Sequence, residues 1–453
     1  MKYPAYPEYK SARVYWISEI PKHWNTAAIK RKFRIVNGST PKSGEPLFWD
    51  GDIQWVTPAD YRHNNNGYIS DTKRKITIEG LHSCGTTLVP ENSIILTTRA
   101  PIGAVALAEN EMCSNQGCKA LVVDSDELWE RYIYYTLSVS VEQLNALGLG
   151  TTFMELSKDD LGYYPVAIPS FNEQKKIAAF LDYKTKQIDQ LIKKKKTLID
   201  KLNEQRIAVI TKAVTKGLEI NTKMKSSGVD WLGDVPEHWE VKRIKFSFKD
   251  KAGAIKTGPF GSQLKSVDMK GVDYKVFNQK NVIQQDLSLG KEYIDEDKFQ
   301  QLSAFEVFEY DLLITTRGTI GKCMEVPKNS EKGILHPCLM RLQLKEDVFL
   351  NDYFVWLLQE SGLLLEQLKL SSNATTLEVI YSETLKNITT PLPPLDEQLS
   401  IVKHLKQEMK HIDAMIMKIS AAIERLNEYR NAIITDAVTG KIDVRNVEIG
   451  EVA

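Results

Sequence analysis

The chain has 453 residues, 42% of them apolar, and its 59 Lys and Arg residues balance 59 Asp and Glu residues. This length suits two or more domains with ordinary cores, and the zero formal charge excludes nucleic-acid binding driven by overall charge, so any DNA contact must come from local patches. Five cysteines without a CxxC spacing argue against a disulfide framework or a zinc site, and the absence of a long apolar run argues against a membrane span, so we expect a cytoplasmic protein.

Residues 1–170 are predicted to form a mixed α/β domain. Runs of apolar and β-branched residues bounded by Asp, Gly, Pro and Asn are typical of strands, and here they are Ile53–Thr57, Ser93–Thr98 and Lys119–Val123. Leu128–Leu147 has helical spacing. The polar segments between these runs are rich in turn residues, and such loops carry recognition more often than stability.

A long helix is predicted for Asn172–Gly217, which contains no proline and no glycine before its last residue. Its apolar residues alternate gaps of three and four when a few polar positions fill the series, and they are Ile177, Leu181, Ile188, Leu191, Leu198, Leu202 and Val209. This 3.5-residue repeat favours a helix that packs along another helix. Asn172 is a plausible N-cap, and Gly217 lies where a glycine often ends a helix.

The second half of the chain follows the same order. A linker at Leu218–Val229 leads to predicted strands and a helical segment, which are Tyr274–Phe277, Leu312–Thr316, Leu339–Leu344 and Leu350–Leu368. A second long helix is predicted for Asp396–Lys441, with a seam at Ile401, Leu405, Ile412, Met415, Ile419, Ala422, Leu426, Tyr429 and Ile433. Two long amphipathic helices in one chain predict an intramolecular coiled coil, and we expect it to be antiparallel.

The two halves are copies of one plan. Ser11–Trp24 matches Ser226–Trp239, and Thr97–Gly103 matches Thr315–Gly321. The fold class is therefore α/β, with two similar α/β domains separated by two long helices. The predicted boundaries are 1–170 for the first domain, 171–217 for the central helix, 218–393 for the second domain, 394–441 for the C-terminal helix and 442–453 for a tail.

The sequence contains no catalytic constellation that we recognise. The segment nearest to a phosphate-binding loop, Gly318–Lys322, lacks both the GxxxxGK[ST] spacing and the hydroxyl. No glycine-rich dinucleotide or methyl-donor fingerprint follows a predicted strand, and the seven histidines form no HExxH. We therefore expect a chain that is not itself an enzyme and that holds neither cofactor nor metal.

Polar loops that differ between the copies are the best candidates for DNA contacts. Asn and Gln side chains read adenine, whereas Arg and Lys read guanine or hold phosphate. The candidates are Arg62, His63, Asn64 and Asn65 in the first copy and Lys256, Gln263, Lys265, Asn278, Gln279, Lys280 and Asn281 in the second. For any single residue, the alternative is an ordinary solvated loop.

An arginine follows the same predicted strand in both copies, as Arg99 and Arg317. At a sheet edge such a guanidinium could face a phosphate or a guanine. It could instead bond to local carboxylates or carbonyls and shape the turn. The second interpretation is favoured because both copies keep the residue, whereas two recognition surfaces should differ.

Several of these motifs resemble those of the specificity (S) subunit of Type I restriction-modification systems. They are W-x-G-x-x-P-x-H-W at Trp231–Trp239, TTRG-x-IG at Thr315–Gly321 and the P-x-x-EQ entry to a long helix at Pro394–Gln398. The first copy differs slightly, with Ser-Phe-Asn between Pro169 and Glu173. The resemblance covers essentially the whole chain.

The resemblance implies two target-recognition domains, each of which reads one half of an asymmetric, bipartite site in double-stranded DNA. It also implies that the helices act as a spacer and dock two modification (methyltransferase) subunits, and that restriction (nuclease-translocase) subunits complete the complex. S-adenosylmethionine, ATP and magnesium would belong to those partners. A coiled-coil adaptor that binds only protein and an enzyme with an unrecognised active site are the alternatives.

Overall fold

The chain folds into two units in a computed structural model. The structure describes residues 3–14, 16–63, 67–125, 127–148, 154–371 and 379–448. The first unit comprises residues 1–196 and 420–453, and the second comprises residues 197–419. Each unit therefore contains one α/β domain together with part of both long helices. The boundaries at 170 and 393 stay a prediction.

The elements of the first half follow the expected mixture of short strands and helices. Its strands are β1 (Tyr9–Val14), β2 (Ile17–Pro21), β3 (Asn25–Ala28), β4 (Phe33–Asn37), β5 (Trp49–Val56), β6 (Tyr68–Ile69), β7 (Lys75–Ile76), β8 (Ile94–Thr98), β9 (Ile102–Ala108), β10 (Cys113–Ser114), β11 (Cys118–Val123) and β12 (Pro165–Ile168). Its helices are α1 (Ile78–His82), α2 (Glu130–Ser138), α3 (Val141–Ala146), α4 (Lys158–Tyr163) and the long α5 (Phe171–Lys216). Short 3₁₀ turns lie at Ile29–Arg31, Pro46–Phe48 and Asp60–His63.

The second half repeats this series. Its strands are β13 (Met224–Ser226), β14 (Asp234–Pro236), β15 (Glu240–Arg243), β16 (Ile255–Thr257), β17 (Tyr274–Phe277), β18 (Tyr293–Ile294), β19 (Glu306–Val307), β20 (Leu312–Thr315), β21 (Cys323–Glu325), β22 (Gly333–Leu335), β23 (Leu339–Leu342) and β24 (Thr389–Leu392). Its helices are α6 (Gln279–Gln284), α7 (Glu296–Gln301), α8 (Asn351–Val355), α9 (Leu363–Ser371), α10 (Ser382–Asn387) and the long α11 (Leu395–Val438).

The sheets confirm that one plan is used twice. The main sheet of the first unit has the order β4-β11-β8-β9-β6, and that of the second has the order β16-β23-β20-β21. In each unit a second sheet contains one parallel pair, β5 with β10 and β17 with β22. The central strands of the main sheets are covered on both faces, since β8 and β20 are buried along their whole length.

The two predicted domain helices are each interrupted. Leu128–Leu147 divides into α2 and α3, and Leu350–Leu368 divides into α8, a π-helical turn at Trp356–Glu360 and α9. Gly362 separates the last two with a φ of 70°, a left-handed conformation that ends a helix and that glycine adopts without strain. Helical spacing alone does not reveal such breaks, because the apolar residues continue in register across them.

The long helices contact each other in an antiparallel arrangement, as expected. In the first unit Arg430 of α11 donates to Asp189 of α5 at 3.1 Å. In the second unit Arg206 of α5 bonds to Asp413 of α11. The early part of each helix therefore pairs with the late part of the other. Among the described residues, no helix is apolar enough over a sufficient length to cross a membrane.

The seam between these helices is less continuous than its repeat predicts. Ile177, Leu181 and Leu202 are buried, but Leu191 and Leu198 are more than two-fifths exposed. On α11, Met415 and Tyr429 are similarly exposed. Seam residues in the central turns are therefore only partly buried, whereas Ile177 and Leu181 near the start of α5 also pack in the core of the first unit.

A buried glutamine anchors the start of α5 to the domain that precedes it. Gln174 has no exposed surface. Its Nε2 donates to the carbonyls of Glu127 at 2.9 Å and Pro169 at 3.0 Å, and its Oε1 accepts from the backbone N–H of Trp129 at 2.9 Å. One side chain thus satisfies three backbone groups that would otherwise lack partners.

The start of α11 repeats this arrangement atom for atom. Gln398 is also fully buried, and its Nε2 donates to the carbonyls of Val348 and Pro393, each at 2.9 Å. Its Oε1 accepts from the N–H of Leu350 at 2.9 Å. The P-x-x-EQ motif therefore has a structural explanation in its glutamine, which ties a long helix to its own domain.

The glutamate of the same motif binds the repeated histidine. His23 Nε2 lies 3.0 Å from Glu173 Oε2, and Tyr6 donates to Glu173 Oε1 at 2.7 Å. In the second unit His238 Nε2 lies 2.8 Å from Glu397 Oε2. The histidines of the two H-W segments thus hold the first turn of a long helix.

The C-terminal end of each long helix packs against an α/β domain at equivalent places in the two units. Tyr132 donates to the carbonyl of Val438 at 3.2 Å in the first unit, and Tyr353 donates to that of Val214 at 3.0 Å in the second. Gly440 follows α11 with a φ of 76°, and a Cβ there would lie 2.3 Å from Cδ of Pro21. Each unit therefore joins the start of one long helix, the end of the other and a Pro-x-His-Trp segment.

Candidate nucleic-acid interface

Several loops lie at one edge of the main sheet in the second unit. In this antiparallel sheet, Thr257 at the end of β16 pairs with Met340, and Thr315 at the end of β20 pairs with Leu339. The loop that follows β16, the arginine that follows β20 and the segment that precedes β23 therefore meet at the same edge. The hydrogen bond from Thr316 N–H to the carbonyl of Cys338, at 2.9 Å, ties two of these segments together.

The sheet that contains β17 and β22 brings a further candidate segment to this edge. The N–H of His336 donates to the carbonyl of Phe277, the last residue of β17, at 2.9 Å. Gln279 donates through Nε2 to the carbonyls of Arg317 and Thr319, the latter at 3.1 Å. The structure thus brings to one sheet edge the segments that carry Lys256, Asn278, Gln279, Lys280, Asn281 and Arg317. Gln263 and Lys265 lie further along the loop that follows β16, where Leu264 packs against β17, β18 and α7.

Three of these side chains are available to a ligand. Lys265, Lys280 and Arg317 are exposed, and their side chains form no hydrogen bond or ion pair within the described ranges. Lys256 is half-buried, with its ammonium 4.7 Å from the ring centroid of Phe305. On a chain with no net charge, exposed cations such as these are the groups that can bind phosphate.

Asn281 corrects the sequence-based assignment. It is fully buried, its Oδ1 accepts from the N–H of Asn278 at 2.8 Å, and its Nδ2 donates to the carbonyls of Asp286 and Leu289 at 3.0 and 2.8 Å. Since its amide is occupied on both sides, it cannot read a base. It forms a capping box that starts α6.

The other amide candidates also support the backbone. Asn278 Oδ1 accepts from the N–H of Lys280 at 2.9 Å, and Gln263 Oε1 accepts from the N–H of Phe260 at 3.0 Å. Gln279 bridges two carbonyls, as described above. These bonds shape the loops that present the cations, and a sequence pattern does not separate such amides from free ones.

At the equivalent edge of the first unit, the arginine forms an ion pair. Arg99 donates through Nη2 to Glu155 Oε2 at 2.6 Å. In the second unit Val379 occupies the position that bridges to Arg317, and no carboxylate among the described residues pairs with this arginine. The two arginines that the repeat made equivalent therefore differ in the local contacts that the structure describes.

A cleft of about 560 Å³ opens beside Arg99, and its lining includes Asn37, Gln116, Lys119 and Lys158. Lys119 is buried and lies between Leu96 and Asn37 in the sheet. Burial lowers the pKa of Lys119, since desolvation disfavours the charged ammonium, and Glu155 opposes this effect. Sequence reasoning missed this residue, because it lies inside an apolar strand; the only signal was a lysine in that strand.

The loop predicted to carry most first-unit contacts is only partly described. Asp60–His63 forms a 3₁₀ turn, and the buried Asp60 accepts hydrogen bonds from Thr57 and from the N–H of Lys73. The side chains of Arg62 and His63, and all of Asn64 and Asn65, lie outside the described residues. Their assignment to DNA stays a prediction.

Comparisons with known proteins agree with the duplicated fold. A family model for the Type I restriction modification DNA specificity domain matches residues 21–201 and 236–425. The type I restriction enzyme MjaIX specificity subunit of Methanocaldococcus jannaschii is 26% identical over 95% of this chain and 96% of its own length. The EcoBI specificity subunit of Escherichia coli is 23% identical over 79% of this chain and 75% of its own length.

Solved structures share the fold. A chain from a structure of the assembly of a type I R-M system superposes with a TM-score of 0.69 at 15% identity, covering 93% of this chain and 99% of that chain. The HsdS subunit from Thermoanaerobacter tengcongensis superposes with a TM-score of 0.52 at 16% identity, covering 93% and 98%. With both repeats matched by the family model, this chain belongs to the family of Type I restriction-modification DNA specificity subunits.

Proposed function

We propose that this chain reads the DNA target of a Type I restriction-modification complex, and that each unit reads one half of an asymmetric, bipartite site. The observation that carries the proposal is a contrast within the repeat. Contacts that build the scaffold recur between units, as Gln174 and Gln398 do. Residues at the candidate edge differ, as Glu155 and Val379 do. Two unlike edges on one scaffold suit two unlike half-sites.

We further propose that the long helices set the spacing of the half-sites and dock two modification subunits. Exposed apolar side chains on them support docking; they include Leu191, Leu198, Met415 and Met417. Restriction subunits would complete the complex in the cytoplasm. S-adenosylmethionine, ATP and magnesium would be bound by those partners, and this chain would act without catalysis of its own.

The test is to express the chain with its modification subunits in a host free of other DNA methylation, and to map the methylated bases. The expected result is a single motif made of two different half-sites separated by unspecified bases. A purely protein-binding adaptor would give no sequence-selective methylation that depends on this chain. Methyl transfer or cleavage by the purified chain alone would contradict a role without catalysis.

Lengthening both helices should lengthen the spacer of that motif. Seven residues inserted into each helix, within 193–201 and within 418–425, preserve the seam and add about 10 Å, or roughly three base pairs. We expect unchanged half-sites and a spacer longer by about three bases in the methylation map. The control is an insertion of the same length after Asn221, in the connection that follows α5, which should leave the spacer unchanged.

Exchanging the loop Asp60–Gly67 for one of different sequence should alter one half-site only. The other half-site depends on the second unit, and the spacer depends on the helices, so both should persist in the methylation map. The matched control is exchange of the exposed turn Glu109–Glu111, which follows β9. An unchanged motif after the loop exchange would remove this loop from the recognition surface.

A further inference from the structure

A buried lysine lies at the floor of the first unit's cleft without enough partners. The side chain of Lys119 is 6% exposed, and its ammonium lies 3.3 Å from Thr98 Oγ1 and 3.8 Å from Glu155 Oε1. An ammonium has three N–H donors. One long hydrogen bond and one distant ion pair leave donor capacity unused among the described residues, although burying an incompletely paired charge is costly.

The fold itself does not require this charge. Lys119 of β11 pairs with Leu96 of β8, and at the same place in the second unit Met340 of β23 pairs with Ile314 of β20. Met340 is completely buried. The second unit therefore builds the same sheet with an apolar side chain, which stabilises a core without the cost of desolvating an ammonium.

The carboxylate beside the lysine is also specific to the first unit. The bridge between Arg99 and Glu155 corresponds to that between Arg317 and Val379. The first unit has thus acquired both a buried cation and a carboxylate at positions where its counterpart is apolar. A polar pair that the scaffold does not need indicates a function at this position.

The charge and shape of the cleft indicate what it binds. Arg99, Lys119 and Lys158 line it together with one carboxylate, that of Glu155, so the lining is net positive. Only a group that projects from its ligand can reach the ammonium of Lys119 at the floor of the cleft. Phosphate oxygens project from a DNA duplex, whereas base edges are recessed in the grooves.

We propose that this cleft receives one backbone phosphate of the half-site read by the first unit, with Lys119 donating to it from the floor. This inference rests on the proposed function and adds a defined ligand to it. Arg99, which pairs with Glu155 and also lines the cleft, supplies a second cation there. At the equivalent positions the second unit carries Met340 and Val379, and among its described residues the exposed cations Lys280 and Arg317 would contact DNA instead.

The test is Lys119→Met in the full chain assembled with its modification subunits. Methionine is the residue that the second unit carries at this position, so the sheet is expected to fold, and an unchanged thermal transition checks this. We expect affinity for a duplex carrying the mapped motif to fall about tenfold. The slope of log K against log salt should become shallower by about one, with base preferences unchanged. Lys10→Met, at an exposed position on β1, should change neither.

A second arm locates the phosphate. Neutral methylphosphonates replace the phosphates of the first half-site one at a time. At one position the replacement should weaken DNA binding by the wild-type complex but not by the Lys119→Met complex, because the variant has already lost that contact. An altered base preference, or an unchanged salt slope, would overturn the proposal. Failure of the wild-type complex to bind the motif would instead contradict the proposed function, so the two failures are distinguishable.

Discussion

Replacing Gln174 by alanine is expected to destabilise the first unit by roughly 3 kcal/mol. The change leaves two carbonyls and one N–H without partners in a buried place, and each such group costs about 1–3 kcal/mol. For a unit of this size the thermal midpoint should fall by roughly 6–12 °C. Calorimetry of the purified chain measures the shift.

Gln187→Ala is the matched control, because Gln187 lies on the same helix with an exposed side chain. It should change the midpoint by less than about 1 °C. Hydrogen exchange should also show faster exchange at the start of α5 in Gln174→Ala alone. Equal midpoints for the two variants would mean that the glutamine does not anchor the helix.

Gly440→Ala is expected to have an effect of similar size in the same unit, where the end of α11 meets the domain. Alanine at a φ of 76° costs about 1–2 kcal/mol, and its Cβ would lie 2.3 Å from Cδ of Pro21, a rigid ring atom. Relief of that overlap requires backbone movement, for a total of roughly 3 kcal/mol. Chemical denaturation monitored by circular dichroism gives the change in the free energy of unfolding.

Gly228→Ala separates the two contributions. Gly228 also has a positive φ, of 69°, but nothing lies within 4 Å of the position of an added Cβ. This variant should therefore lose only about 1–2 kcal/mol. If both variants lost the same free energy, the close approach of Gly440 to Pro21 would contribute nothing to stability.

These two positions show why the two units share some residues and differ at others. Gln174 and Gly440 lie where a long helix begins or ends on a domain, and both have counterparts, Gln398 and Gly217, in the second unit. A change at such a joint costs stability whatever DNA is bound. The sheet edge carries no such constraint, since Lys119 can be replaced by methionine in the same fold, and there the two units have diverged.

Much of the architecture could be predicted from the sequence. The long helices appear as uninterrupted 3.5-residue repeats, and α5 and α11 begin and end within three residues of the predicted bounds. Strands such as Tyr274–Phe277 are marked by short apolar runs between turn residues. The duplication shows that both halves share one plan, because matching motifs recur in the same order.

The candidate interface was less accessible to sequence reasoning. In the second unit the pattern of polar loops selected segments that meet at one sheet edge, since residues after successive strands lie there, and their contact with DNA stays a prediction. It did not distinguish the exposed Lys280 from the buried Asn281, its neighbour in the chain. Lys119 was not a candidate at all, because a lysine within an apolar strand gives no indication of what lies beside it.

The sequence by itself determined the duplicated α/β plan, the two long helices and their antiparallel pairing, because periodicity and repetition are properties of residue order. Only the tertiary structure decided which polar atoms remain available to a ligand. That outcome depends on segments far apart in the chain, such as those that bring Glu155 to Arg99 and Val379 to Arg317. Such neighbours decide which polar atoms are buried or already hydrogen-bonded, and a local sequence pattern does not show which neighbours these are.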